Sequence, residues 1–258
     1  MDDASRRSLN NRLLLVILFG AAWLRLLHID QPFVNLASWR ETDDAIIADN
    51  FFRGHYNIFL PEVSWNGPGP NYVGYEFQLT TYLAALLYRV FGQADWVGRG
   101  VSVAFGIWSL FAFYNLVRRA FNEERALVSS AVLAIMPGGV IVDRSFLPDP
   151  VMVSLVVSSF WMLLAYLQDR RMIHLALAVL TGGLGMLTKI SGLMAALPAL
   201  YAMFALLPAD GAIRRWYLVS LTVASSLVLV PVIGYYAWAI HVYHWYPPHL
   251  VGAMGNWV

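Results

Sequence analysis

The stretch EFQLTTYLAALLYRVFG, residues 76–92, decides how the rest of the chain is threaded. It is apolar enough to suggest a membrane span. It is also short, opens on Glu76 and carries Arg89 near its end. About 20 mostly apolar residues are needed to cross roughly 30 Å of hydrocarbon. Seven other stretches meet or approach that length, at about 13–29, 99–117, 126–142, 150–167, 173–188, 191–207 and 216–238. If 76–92 does not cross, Arg6, Arg7, Arg12, Arg118, Arg119, Arg125, Arg170, Arg171, Arg214 and Arg215 all fall on one side. That is ten of the 17 Lys and Arg, clustered at span ends as the positive-inside rule requires of the cytoplasm. If it does cross, the last three clusters face away from the first. The segment is therefore read as an amphipathic, interfacial or re-entrant helix.

The resulting expectation is an all-α integral membrane protein. Seven spans form a single module over 1–258, with the N-terminus cytoplasmic and an outer loop at 30–98. Composition agrees: 59% of residues are hydrophobic and only 13% charged, with 10 Trp, 13 Tyr and 14 Phe to occupy two lipid–water interfaces. There is no cysteine, which removes disulfides and thiolate metal sites. A net charge of +1 gives no field for nucleic acid. MDDASRRSLNNR followed by LLLVILFGAAWL resembles a signal peptide. Arg25, His28 and Asp30 follow in place of a small-residue cleavage site, so this is read as an uncleaved first span. The last stretch, 239–258, reads as a loose tail without a closing element, and a distal part beyond it is expected.

Three places on the expected outer face could carry chemistry. The first is SWRETDDAIIADNFFR, residues 38–53, where Thr42 would cap a helix over 43–53 with Asp43 and Asp44 in its first turn. Acids at a helix start are common, and alone they need no function. The same loop adds Trp39, Trp65, Tyr72, Tyr75 and Glu76. The second is DRSFLPDP, 143–150, where two prolines bracket Asp149 and Arg144 lies close enough to meet an anion. The third is Lys189 in GMLTKISG, the chain's one lysine, at a turn between apolar spans. Lysines at span ends often only snorkel; the weight lies in three such features sharing a face. His241, His244 and His249 have the look of a metal set but sit on the tail and are read as interfacial residues. No P-loop, G-x-S-x-G or G-x-G-x-x-G is present.

The order of these features resembles a known family. AIIADNFF is followed by Y-E-F-x-L-x-x-Y-L-x-x-L-L-Y, then VGRGVSVAFGIWSLFAFYNLVRRAF, R-S-F-L-P-D and G-x-L-T-K. This is similar to the GT-C membrane glycosyltransferases of the protein O-mannosyltransferase and aminoarabinose-transferase type. The resemblance implies a polyprenyl-phosphate sugar donor, inversion at the glycosidic carbon, and a first-loop carboxylate as general base. It points to Asp43 as that base, ahead of Glu41 and Asp44. Arg40, Glu76, Arg144, Asp149 and Lys189 become substrate-binding candidates, with Arg144 partnering Asp149 and Lys189 meeting the donor phosphate. The acceptor would be a lipid, glycan or protein, in a plasma (inner) membrane and at its extracytoplasmic face. Nothing requires a metal, although a carboxylate cluster could host a divalent cation. The rival readings are a flippase or transporter of lipid-linked sugars, which needs polar residues along a path through the bundle, and a non-catalytic membrane scaffold.

Overall fold

The structure, a computed structural model, describes residues 3–33, 38–64, 71–73 and 76–245. Trp65, Tyr75 and His249 lie outside them. The described residues form ten α-helices: α1 (Asp3–Leu26), α2 (Ser38–Arg53), α3 (Leu79–Phe91), α4 (Asp95–Ala120), α5 (Glu123–Ile135), α6 (Pro137–Asp143), α7 (Pro148–Asp169), α8 (Met172–Thr188), α9 (Ala196–Ala205) and α10 (Gly211–Trp245). A 3-10 helix, Ile190–Ala195, leads into α9. Among the described residues the only β pairing is an isolated antiparallel bridge, Glu62 to Tyr72, in the turn-rich part of the first loop. The protein is all-α and membrane-embedded in character.

Each of the seven stretches expected to span is helical. By length and composition α1, α4, α7 and α10 can cross a membrane alone, and α5 with α6 forms a fifth candidate bent by 66°. The bend has a local cause. Pro137 has no N–H to continue the helix, and α6 restarts with proline in its first turn. Helices α8 and Ile190–Ala205 are apolar but shorter. Helix α3 has 13 residues; at 1.5 Å per residue it reaches only about 20 Å, short of a crossing. Exposed apolar side chains such as Phe19, Trp23, Val230 and Ile233 cover α1 and α10 as lipid-facing surface requires.

Two expectations are corrected. Helix α2 begins at Ser38, so Glu41 and not Asp43 or Asp44 occupies its first turn. The longer helix is held by tertiary partners of Arg40 and Glu41, which a cap argument from Thr42 does not see. The stretch after residue 238 is not loose through its first turns, because α10 runs on to Trp245 with His241 stacked on it at 5.7 Å.

The bundle is organised around α7, which packs against α4 on one side and α8 on the other. Small residues permit the close approach: a Cβ on Gly182 would lie 2.7 Å from Ser159 Oγ, and one on Gly185 3.0 Å from Val156 Cγ2. Helices α4 and α7 run parallel. At one end Ser102 donates to the Leu147 carbonyl, and at the other Arg119 pairs with Asp169 at 2.9 Å. Helix α8 runs back, ending where Lys189 meets Asp149. The first loop closes over this same end, Phe77 N–H donating to the Leu187 carbonyl at 3.1 Å. Arg118, Arg119, Arg125, Arg170 and Arg171 therefore share the end opposite to α2.

Arg25, in the last turn of α1, is a charge at the end of an apolar run. It is 1% exposed, its Nε donates to Asp143 Oδ2 at 2.8 Å, and its Nη1 donates to the carbonyls of Ala134 at 2.9 Å and Ala21 at 3.2 Å. The guanidinium thus occupies a carbonyl freed by the α5–α6 break. Gly106 makes room, since a Cβ there would sit 2.5 Å from the Asp143 carboxyl carbon. Asp143→Ala should lower stability by about 3–5 kcal/mol by leaving Arg25 buried and unpaired. Arg25→Met combined with Asp143→Leu should cost much less than that single change, as read from melting of the purified protein in detergent.

Candidate active site

Helix α2 lies across the end of the bundle formed by the starts of α4 and α7 and the end of α8. Its apolar face fixes its rotation: Ile47 and Phe51 pack with Val63 and Ala85, while Ala48 joins a core of Ala84, Tyr88, Val97, Val101 and Phe146. With that face buried, the acids at 41, 43 and 44 acquire three different environments.

Glu41 is fully buried. Its Oε1 accepts the Phe146 backbone N–H at 2.8 Å and Arg99 Nε at 3.3 Å. Arg99 also donates to the carbonyls of Ile29, Gln31 and Pro32 and lies 4.7 Å from the Phe33 ring centre. Glu41 thereby joins α2, α4, the exit of α1 and the α6–α7 connection. Arg99 was missed in the sequence, although an arginine one turn into a membrane helix is itself a signal.

Asp44 is also buried, at 3% exposure. Burial pushes its carboxyl up to about 8; Arg40 opposes the rise, and Glu76, Asp43 and Asp149 add to it. Arg40 is shared unequally. Its Nη2 is 2.8 Å from Glu76 Oε2, whereas its Nε is 3.8 Å from Asp44 Oδ2. Because it is buried beside other carboxylates, Asp44 is neutral near pH 7. Asp44 and Thr80 line a cavity of about 10 Å³ together with Glu76, Gln78, Thr81 and Thr188, and Asp44 Oδ2 and Thr80 Oγ1 have no hydrogen-bond partner.

Asp43 is partly exposed. Burial lifts its carboxyl to about 6 against the pull of Arg40, and no hydrogen bond or ion pair among the described residues engages it. Asp149, in the first turn of α7 after Pro148, accepts both of its contacts from Lys189 Nζ, at 2.8 and 2.9 Å. The expected Arg144–Asp149 pairing is therefore corrected. Lysine reaches Asp149 because α8 ends antiparallel beside the start of α7, and the Arg144 guanidinium makes no ion pair among the described residues. Of the residues singled out in sequence, Arg40, Asp43, Asp44, Glu76, Asp149 and Lys189 are brought to one place, with Glu41 beneath them as an anchor. Among the described residues no group of three or more His, Asp or Glu has metal-binding geometry. His241 and His244 lie on α10.

The split between Asp43 and Asp44 has a pH signature. In the folded protein Asp44 holds its proton to about 8, against 3.8 when unperturbed. Between those values the folded state binds more protons than the unfolded one, so its contribution to stability is lost as pH rises from about 4 to 8. Infrared difference spectra should show a protonated carboxyl at pH 7 that titrates near 8 and is absent in Asp44→Asn.

The sequence profile of the dolichyl-phosphate-mannose-protein mannosyltransferase family matches residues 78–238. The chain is similar to YkcB of Bacillus subtilis (strain 168), provisionally named a mannosyltransferase, with 24% identity over 222 residues. That match takes in 83% of this chain and 29% of YkcB. Among solved structures it matches the Archaeoglobus fulgidus oligosaccharyltransferase in its apo form, with a TM-score of 0.64 and 16% identity, over 96% of this chain and 34% of that one. The same enzyme tethered to an acceptor peptide containing the NVT sequon matches with a TM-score of 0.65 and 16% identity, over 99% of this chain and 36% of that one. These structures share the fold of this chain. The chain spans about a third of the length of the relatives it matches.

Proposed function

Because the chain belongs to the dolichyl-phosphate-mannose-protein mannosyltransferase family, we propose that it is a seven-span module of a membrane glycosyltransferase. It moves a sugar from a polyprenyl-phosphate donor to a lipid, glycan or protein acceptor, with inversion. The observation that carries this reading is the placement of two groups at the same end of the bundle. One is the unengaged carboxyl of Asp43, lifted by burial to about 6; the other is the chain's one lysine, held by Asp149.

In this reading Asp43 is the general base. A carboxyl titrating near 6 is ionised at neutral pH yet basic enough to accept a proton from an attacking acceptor hydroxyl. As the acceptor oxygen bonds to the sugar carbon, the bond from that carbon to the phosphate oxygen breaks, and the lipid phosphate leaves with the electron pair. Lys189 and the unpaired Arg144 supply positive charge where negative charge accumulates. Asp149 holds Lys189 in place until the phosphate competes for it. Arg40 and Glu76 contact the polar part of the donor, and Asp44, neutral beside them, leaves Arg40 its full charge. Glu41 sets the position of α2. The reactive face is extracytoplasmic in a plasma membrane, since the arginine-rich opposite end meets the cytoplasm.

Membranes carrying the full-length protein should transfer label from a polyprenyl-phosphate sugar when offered a radiolabelled panel. The rate should rise as pH passes through about 6 with deprotonation of Asp43. Asp43→Asn should lower transfer by about 10²–10⁴ while insertion and melting temperature hold; full activity in that variant would exclude Asp43 as base. Lys189→Gln should lower kcat more than it raises KM for the donor.

A further inference from the structure

The far end of the bundle contains a second set of groups that the proposed reaction does not use. Tyr166, Arg170 and His174 follow one another at four-residue intervals across the α7–α8 turn, where Arg170 takes a left-handed backbone with φ 58°. The Tyr166 hydroxyl, Arg170 Nη1 and His174 Nδ1 are buried atoms without a hydrogen-bond partner, and Tyr166 as a whole is 0% exposed. Tyr217 of α10 holds the group together. Its ring stacks on Tyr166 at 6.1 Å with 7° between planes, and the Arg170 guanidinium lies 4.5 Å from its centre. The one acid here, Asp169, is committed to Arg119 at 2.9 Å and stands 3.7 Å from His174 Nδ1. Arg119, Arg170 and Arg171 thus face a single aspartate, and the site is electropositive.

An apolar cavity of about 200 Å³ lies between α7, α8, α9 and α10. Its lining includes Leu163, Leu175, Ala178, Met203 and Ala224, which belong to the same core as Tyr166 and Tyr217. Leu163 is one turn from Tyr166, and Leu175 adjoins His174. An apolar cavity that shares its core with donors lacking hydrogen bonds, beside more cations than acids, is complementary to one kind of molecule, an amphiphile with an anionic head.

We propose that the Arg170–His174–Tyr166 cluster and the adjoining cavity form a binding site for an anionic phospholipid. The phosphate is held by Arg170 and His174, and part of one acyl chain lies between α7, α8, α9 and α10. The head sits at the opposite end of α7 from Asp149, so the site is separate from the transfer site and does not depend on the proposed reaction. The bound lipid would brace the α7–α8 turn against α10.

The test is native mass spectrometry and thermal melting of the detergent-purified chain with phosphatidylglycerol, phosphatidylcholine or inorganic phosphate. Phosphatidylglycerol should bind and stabilise more than phosphatidylcholine. Arg170→Gln should weaken phosphatidylglycerol about tenfold, the scale of one charge-assisted hydrogen bond, with His174→Gln acting in the same direction. Arg170→Lys should retain most of the binding and so control for folding. Ala199→Phe, which fills the cavity, should weaken both lipids, and Lys189→Gln should leave phosphatidylglycerol binding unchanged. Equal binding of the two lipids, or insensitivity to Arg170→Gln, overturns the proposal. Loss of binding in Lys189→Gln alone would place the head at the other end of the bundle and overturn it too. Inorganic phosphate that competes fully while Ala199→Phe is silent would show a site for a free anion and not for a lipid.

Discussion

One buried carboxylate, Glu41, sets the geometry at the functional end of this molecule. Its Oε1 takes the Phe146 N–H and the Arg99 guanidinium together. Desolvating a carboxylate and a guanidinium costs several kcal/mol per ion unless their remaining polar atoms are satisfied. Arg99 meets that requirement with three backbone carbonyls from the segment leaving α1. Removing either partner strands a charge in a dry interior, so the first loop cannot shift relative to α4 and α7 without losing both. The opposed close contact of Gly98 against the Phe146 ring, where a Cβ would lie 2.5 Å away, fixes the same joint from the apolar side.

With α2 held in this way, the other acids differ because one arginine cannot neutralise them all. Arg40 sits 2.8 Å from Glu76 and 3.8 Å from Asp44. Coulomb attraction alone falls by only about a quarter over that extra ångström, so distance does not settle the matter. What does is that Asp44 is buried, has neighbouring carboxylates raising its affinity for a proton, and lacks a hydrogen bond to its Oδ2. Asp43, one residue earlier and partly exposed, carries a smaller desolvation penalty. The helical turn thus places two carboxyls of the same chemistry on opposite sides of neutrality. That separation lets one donate or hold a proton while its neighbour accepts one.

The all-α membrane class, the helicity of the seven stretches and the shortness of the helix within 76–92 were legible because each rests on composition and length over many residues. The grouping of α2, Asp149 and Lys189 was legible through arginine asymmetry, which reports on whole loops. Pairings between distant residues were not. Arg144 is nearer to Asp149 in sequence, yet Lys189 reaches it because α8 returns antiparallel. Nothing local in DRSFLPDP specifies that return. The start of α2 was misplaced for the same reason: Ser38 begins the helix because Arg40 and Glu41 find partners at positions 76, 99 and 146. The Arg25–Asp143 pair likewise needed the break at Pro137 to bring Asp143 beneath α1.

Arg25 and Arg99 also show how a membrane bundle tolerates charge. Each guanidinium is almost wholly buried, and each meets one carboxylate plus at least one backbone carbonyl at an interruption of regular helix. The carbonyls come from interrupted backbone, the α5–α6 bend for Arg25 and the loop after α1 for Arg99. Irregular backbone at membrane depth is costly unless something donates to its free oxygens, and a buried guanidinium is costly unless its several N–H groups are accepted. The two costs offset one another at both sites. The breaks and the arginines therefore belong together: straightening α5–α6 would leave Arg25 short of an acceptor, and removing Arg25 would leave the bend with an unsatisfied carbonyl. Both sites lie at the end of the bundle that carries Asp43 and Lys189, where chain irregularity is what brings three separate loops to one place.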